Sequence, residues 1–211
     1  MEQSITKALA WRFAVRVFDA TKSIKKEDLA IILESGRLAP SSFGIEPWKF
    51  IVVENKEVRA KLRAAGYDQP KITDASALIV IARRTDMREH IMDELVARTA
   101  TTQGVSIESL AGFKQMLDGA VAGKDDAELD AWARAQTYIP LGTMIAAASL
   151  LSIDTGPMEG FDAVKVGEIL DLDAKNLKAT TMLALGCRGD DPGAVRPKVR
   201  RDFESVVEFV K

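Results

Sequence analysis

Four short stretches of this sequence carry groups able to bind an anion or orient a polar ring. Arg12 and Arg16, in WRFAVRVFD, stand four residues apart beside an apolar alternation. Ala39-Pro40-Ser41-Ser42-Phe43-Gly44 precedes Pro47 and Trp48, and its two hydroxyls and free backbone N–H groups could hold a phosphate oxygen. Gly156-Pro157-Met158-Glu159-Gly160-Phe161 reads as a rigid, then flexible turn ahead of a helix. Arg196-Pro197-Lys198-Val199-Arg200-Arg201 is a basic run near the C-terminus. Each alone has an ordinary explanation: arginines on an edge strand, a turn, a solvated charge cluster.

Other chemistries are disfavoured. There is no glycine–serine elbow, no pair of carboxylates at a telling spacing, and a single histidine, His90, to serve as a base. The segment Gly119 to Lys124 has its glycines one residue too close for a phosphate loop, and Asp125 stands where a magnesium-binding hydroxyl belongs. No G-x-G-x-x-G follows a strand, so a dinucleotide fingerprint is missing. One cysteine, Cys187, excludes an intramolecular disulfide and, with one histidine, leaves too few soft ligands for a structural zinc site. In TTMLALGC this cysteine reads as a buried small hydrophobe.

With 29 basic and 31 acidic residues the net charge is −2, which gives no footprint of a nucleic-acid binder. The N-terminus lacks a signal-peptide core and no apolar run approaches the ~20 residues needed to span a bilayer, so a cytoplasmic protein without a membrane partner is expected. At 211 residues and 47% hydrophobic content, one domain over 1–211 can fill its own core.

The elements that must carry these stretches alternate in type, as in an α+β domain. Helices are predicted over Gln3 to Trp11, Lys26 to Leu38, Val58 to Gly66, Met87 to Ala100, Ser106 to Val121 and Phe161 to Leu170. Asp126 to Leu151 is the longest apolar-periodic stretch and reads as a central helix, kinked or broken at Pro140. Strands are predicted over Trp48 to Glu54, Ser76 to Ala82, Thr180 to Cys187 and Ser205 to Val210.

Taken in order, R-x-x-x-R-x-F at Arg12 to Phe18, A-P-S-S-x-x-x-x-P-W at Ala39 to Trp48, Q-P-K at Gln69 to Lys71, G-P-M-E-G-F-D at Gly156 to Asp162 and P-K-V-R at Pro197 to Arg200 span nearly the whole chain. In this order and spacing the sequence resembles the nitroreductase family of FMN-dependent NAD(P)H oxidoreductases. The resemblance implies an α+β fold with a mixed β-sheet flanked by helices. It also implies an intertwined homodimer in which the C-terminal segment is exchanged and SVVEFV pairs with the partner's sheet.

The same resemblance distributes FMN over the motifs. Arg12, Lys198 and Arg200 are expected at the phosphate, where charge-assisted hydrogen bonds serve best. Arg16 and Lys71 are expected where a reduced flavin carries negative charge, and the backbone N–H groups of Glu159 and Gly160 at the ring's N5 and O4. Phe13, Ala14, Gln69, Gln136, Pro157 and Met158 are expected contacts. Pro40, Ser41, Ser42 and Gly44 form a clamp that reaches the cofactor of the other subunit. No side chain of the protein is expected to act as a covalent or acid–base catalyst, because the cofactor carries the hydride chemistry.

The implied activity takes hydride from NADH or NADPH and reduces small planar acceptors such as nitroaromatics or quinones. Two alternatives accompany it: a specialised flavin enzyme of the same family (pteridine reductase, dehalogenating or flavin-destroying), and a flavin-binding dimer without turnover. Three positions depart from the family pattern, Ala14 for a hydroxyl residue, Gly44 for asparagine and Glu46 for glutamine. Phe43 and the helices from Met87 to Val121 are placed to shape the acceptor pocket.

Overall fold

The computed structural model of the chain describes residues 5–211. Its centre is a four-stranded antiparallel sheet of order β1-β2-β4-β3, built from β1 (Trp48–Val52), β2 (Ala77–Arg84), β3 (Asp154–Met158) and β4 (Leu177–Gly186). β2 and β4 are apolar almost throughout, and they take the centre because both of their faces are covered. Met182 and Ala184 of β4 face one core with Leu78 and Val80; Leu183 and Leu185 face the other with Ile79 and Ile81. The first core is closed by Leu62 of α3 (Lys56–Ala65) and Val166 of α8 (Ala163–Leu170). The second is closed by Ile32 of α2 (Lys26–Arg37) and by Leu141, Met144 and Ala148 of α7 (Asp126–Leu150).

A third cluster lies beside the sheet. Met92, Leu95 and Val96 of α5 (Met92–Gln103) and Leu117 and Val121 of α6 (Ala111–Ala122) pack on Leu129 and Ala133 near the start of α7. A π-helical turn, Met87–Ile91, leads into α5 and leaves His90 exposed. No described helix is long and apolar enough to cross a membrane.

Several expectations are corrected. Among the described residues the strands pair antiparallel, so the sheet is not mixed; the parallel contact there is a single bridge between Ala14 and Thr155. The supposed turn at Gly156-Pro157 is part of β3. Pro157 has no N–H to give, and an edge strand tolerates that. Pro140 does not divide α7, which runs as one helix of 25 residues. Losing one backbone bond is outweighed there, because residues on both sides of the proline are locked into two different cores. Ser205 to Val210 forms no strand within the chain: Phe203–Ser205 is a short 3-10 turn, and Phe203, Phe209 and Val210 are exposed.

Smaller differences follow local chemistry. The start of the first helix predicted at Gln3 lies outside the described residues, and α1 is Ile5–Trp11. Helix α3 starts earlier than predicted because Asn55 caps it, accepting from the Val58 N–H. Cys187 is half-buried rather than buried, just past the end of β4.

Candidate functional site

Arg12 leaves the end of α1 half-buried, with its Nε shielded from solvent and, among the described residues, without a hydrogen-bond acceptor. Lys198 comes from the C-terminal tail and donates to the carbonyl of Ala10 at 2.6 Å and to that of Arg12. Burial, then Arg200, holds the Arg12 guanidinium below its ordinary value; burial, then Arg12, Arg200 and Arg188, does the same to Lys198. Arg188 lies over the rings of Trp11 and Phe13, at 4.3 and 4.7 Å, and is paired with the buried carboxylate of Asp154. Among the described residues, four cations thus share one carboxylate. A buried donor left unpaired costs about 1–3 kcal/mol, so an anion bound here would relieve both that cost and the repulsion.

Four residues along, the second pole forms. Val15 donates to the Thr155 carbonyl at 3.0 Å, which lays the Arg12–Arg16 segment against the outer edge of β3. The approach is close enough that a Cβ on Gly156 would stand 2.7 Å from the Val15 carbonyl oxygen, with the Lys71 chain at 3.3 Å, so glycine is required there. Lys71 opens α4 (Lys71–Asp74) and is only 9% exposed. Among the described residues its ammonium has no hydrogen-bond or ion-pair partner. Burial and then Arg16 lower its proton affinity, while Asp191 acts the other way.

The support beneath Lys71 is specific. Arg59, buried in α3, donates from Nε to the Ile72 carbonyl at 2.8 Å and from a terminal nitrogen to the Ala75 carbonyl at 2.6 Å. It thereby satisfies the carbonyl end of a four-residue helix that cannot stand alone. Gln69 donates to the carbonyls of Gly66 at 2.9 Å and Gly160 at 2.8 Å, tying Q-P-K to the Glu159-Gly160 turn. Glu159 in turn accepts from Tyr138 and, at 3.2 Å, from Arg134, both on α7.

The Pro40–Gly44 loop stands apart from both poles. The Ser42 N–H donates to Gln136 Oε1 at 2.8 Å, Ser41 Oγ accepts from the Glu46 N–H at 2.9 Å, and Phe43 meets Trp132 edge-on at 6.2 Å. At about 100° per residue, Gln136 points ~160° away from Arg134 and Tyr138. One face of α7 therefore holds the Glu159 turn and the opposite face holds the serine loop. The loop is strained: Phe43, Gly44 and Glu46 all have positive φ, and Arg98 braces them through the Gly44 carbonyl and the Glu46 carboxylate.

The predicted residues thus fall into two groups. Arg12, Phe13, Ala14, Arg16, Gln69, Lys71, Pro157, Glu159, Gly160, Lys198 and Arg200 come together along the outer side of β3, α4 and the tail. Pro40, Ser41, Ser42, Gly44 and Gln136 form the second group. Met158 ends β3 with its side chain buried in the sheet core. Sequence reasoning missed Arg188, Asp154, Arg59 and Asp191. Asp190-Asp191-Pro192-Gly193 is legible as a turn, but none of these residues advertises its distant partner.

Comparison with known proteins places the chain in a family and matches its fold. Residues 9–187 match the family described as the nitroreductase family. A Staphylococcus aureus protein, an NAD(P)H nitroreductase by name, is 36% identical over 221 residues, covering 100% of this chain and 97% of its own. A nitroreductase-like protein from Streptococcus mutans superposes with a TM-score of 0.85 at 19% identity, covering 98% of each chain. A protein from Exiguobacterium sibiricum, a nitroreductase by name and crystallised in complex with FMN, gives 0.82 at 22% identity, covering 99% of this chain and 98% of its own.

Proposed function

Since this chain belongs to the nitroreductase family, we propose that it is an FMN-dependent oxidoreductase that takes hydride from NADH or NADPH and reduces small planar acceptors such as nitroaromatics or quinones. The observation that carries the reading is the pair of cationic poles. Among the described residues Arg12, Lys198 and Arg200 meet without a carboxylate of their own and would hold a phosphate, with the Nε of Arg12 as the ready donor. Arg16 and Lys71, also without direct counter-ions among the described residues, would face the ring end, and the Glu159-Gly160 turn would present backbone N–H groups to its edge.

Bound FMN would supply the hydride chemistry, and the chain would supply charge, orientation and shelter from water. The serine loop, on the opposite face of α7, completes the site of a neighbouring subunit in this reading. The functional unit is then a homodimer, with 1–211 as one FMN-binding domain in each subunit. The exposed Phe203, Phe209 and Val210 give the tail an apolar surface to bury against the partner's sheet. A cytoplasmic setting, where NAD(P)H is at hand, fits the same reading.

The test is optical. Purified protein is expected to be yellow, to bleach when NADH or NADPH is added without oxygen, and to recolour with a nitroaromatic or a quinone. A yellow protein that neither nucleotide bleaches would be a flavin binder without turnover, and a colourless protein that takes up no FMN would end the proposal.

A further inference from the structure

Asp191 joins the two ends of the chain at the ring pole. Its carboxylate, 7% exposed, accepts from the Arg16 N–H at 2.7 Å and the Val17 N–H at 3.1 Å through one oxygen, and from the Gly193 N–H at 2.8 Å through the other. The turn that presents it is shaped around it: a Cβ on Gly193 would come within 3.0 Å of its Oδ1 and 2.9 Å of the Phe13 ring. With Ala14, Arg16, Gly193 and Arg196 it lines a depression of about 310 Å³.

We propose that Asp191 is a positioning residue for this pole, fixing the backbone that carries Arg16 and setting the net charge that Arg16 and Lys71 present to the ring. This rests on the flavin reading above. Three N–H donors converge on the carboxylate and, among the described residues, no side-chain cation pairs with it, so it anchors backbone rather than neutralising Arg16 by direct pairing. Its field nevertheless reaches Lys71, offsetting Arg16. Burial alone would raise its own carboxyl, but the backbone donors and Arg16 bring it below the ordinary value, so it is anionic at neutral pH. A fixed anion beside Arg16 and Lys71 would disfavour added negative charge on a bound ring, opposing the two cations by differential affinity for the reduced and oxidised states.

Asp191→Asn separates the two roles. With its amide oxygen toward Arg16 and Val17 it keeps two of the three bonds, loses the one to Gly193 and removes the charge. The two-electron midpoint potential of its bound FMN should rise, favouring the reduced state about tenfold, which is ~30 mV for two electrons. Lys71→Gln should shift it the opposite way, and the double variant should return close to wild type. Asp191→Glu, which keeps the charge, should stay near the wild-type potential.

An Asp191→Asn protein that binds FMN with an unchanged or lowered potential overturns the proposal. If that variant does not fold, Asp191→Glu decides: a raised potential there, with the charge retained, overturns it equally. A wild-type protein that takes up no FMN refutes the flavin reading instead, which the colour of the sample reveals before any titration.

Discussion

Arg12 and Arg16 look equivalent in the sequence, four residues apart in one apolar segment, yet their surroundings differ. Arg12 points into a cluster of cations from the tail, and Arg16 stands beside Lys71 and Asp191. The division predicts which substitutions weaken FMN binding. Removing Arg200 by Arg200→Ala deletes a charge that, among the described residues, makes no hydrogen bond except to the neighbouring Val199 carbonyl. A hydrogen bond to a charged group is worth about 1.5–3 kcal/mol, so FMN affinity should fall about tenfold or more in a fluorescence titration. Lys198→Ala should do the same and in addition loosen the end of α1, because its ammonium also holds the carbonyls of Ala10 and Arg12. Unchanged affinity in both variants would return the basic run to a solvated cluster.

Short elements here depend on long-range supports, and α4 is the clearest case. It is four residues long, and its carbonyl end is satisfied by Arg59 from α3. Arg59→Met would keep much of the buried volume but leave two buried carbonyls without donors, each costing about 1–3 kcal/mol. Chemical denaturation should show a loss of that order, and FMN affinity should drop with it, because Lys71 rides on the same turn. Helix α7 carries its own start signal. Asp125 and Glu128 form a reciprocal capping box, with both bonds at 2.8 Å, and Asp125→Ala should cost about 1 kcal/mol without touching FMN binding. The contrast between these variants separates an element that is merely stable from one that places a functional charge.

At the scale of the whole molecule, the proposed homodimer is what would bring the serine loop, the cationic poles and the exposed tail into one site. The serine loop faces away from the cationic poles, and the C-terminal residues after Arg201 expose Phe203, Val206, Phe209 and Val210. If the tail covers a neighbouring subunit, deleting 203–211 should expose an apolar interface and an edge of the sheet together. Light scattering should then find monomers or aggregates, and the protein should lose its FMN even though Arg12, Lys198 and Arg200 remain. A truncated protein that stays dimeric, soluble and yellow would rule out the exchange.

Local chemistry was legible in the sequence where a residue type has few other uses. The two apolar runs became the central strands, Asp126 to Leu150 became the long helix, and the five motifs pointed to one family because their order is specific. What the sequence left open was every feature decided by a distant neighbour. Whether Gly156-Pro157 is a turn or a strand depends on β4, which offers a ladder to an edge that can do without one N–H. Whether Pro140 breaks a helix depends on the two cores that grip it on either side. Asp191 has its partner 175 residues away, and Arg59 reaches carbonyls whose positions follow from the packing of α3 and α4. Hydrogen bonds of this kind carry no periodicity and no composition signal, since any donor and acceptor will serve. Only the folded chain determines which ones meet.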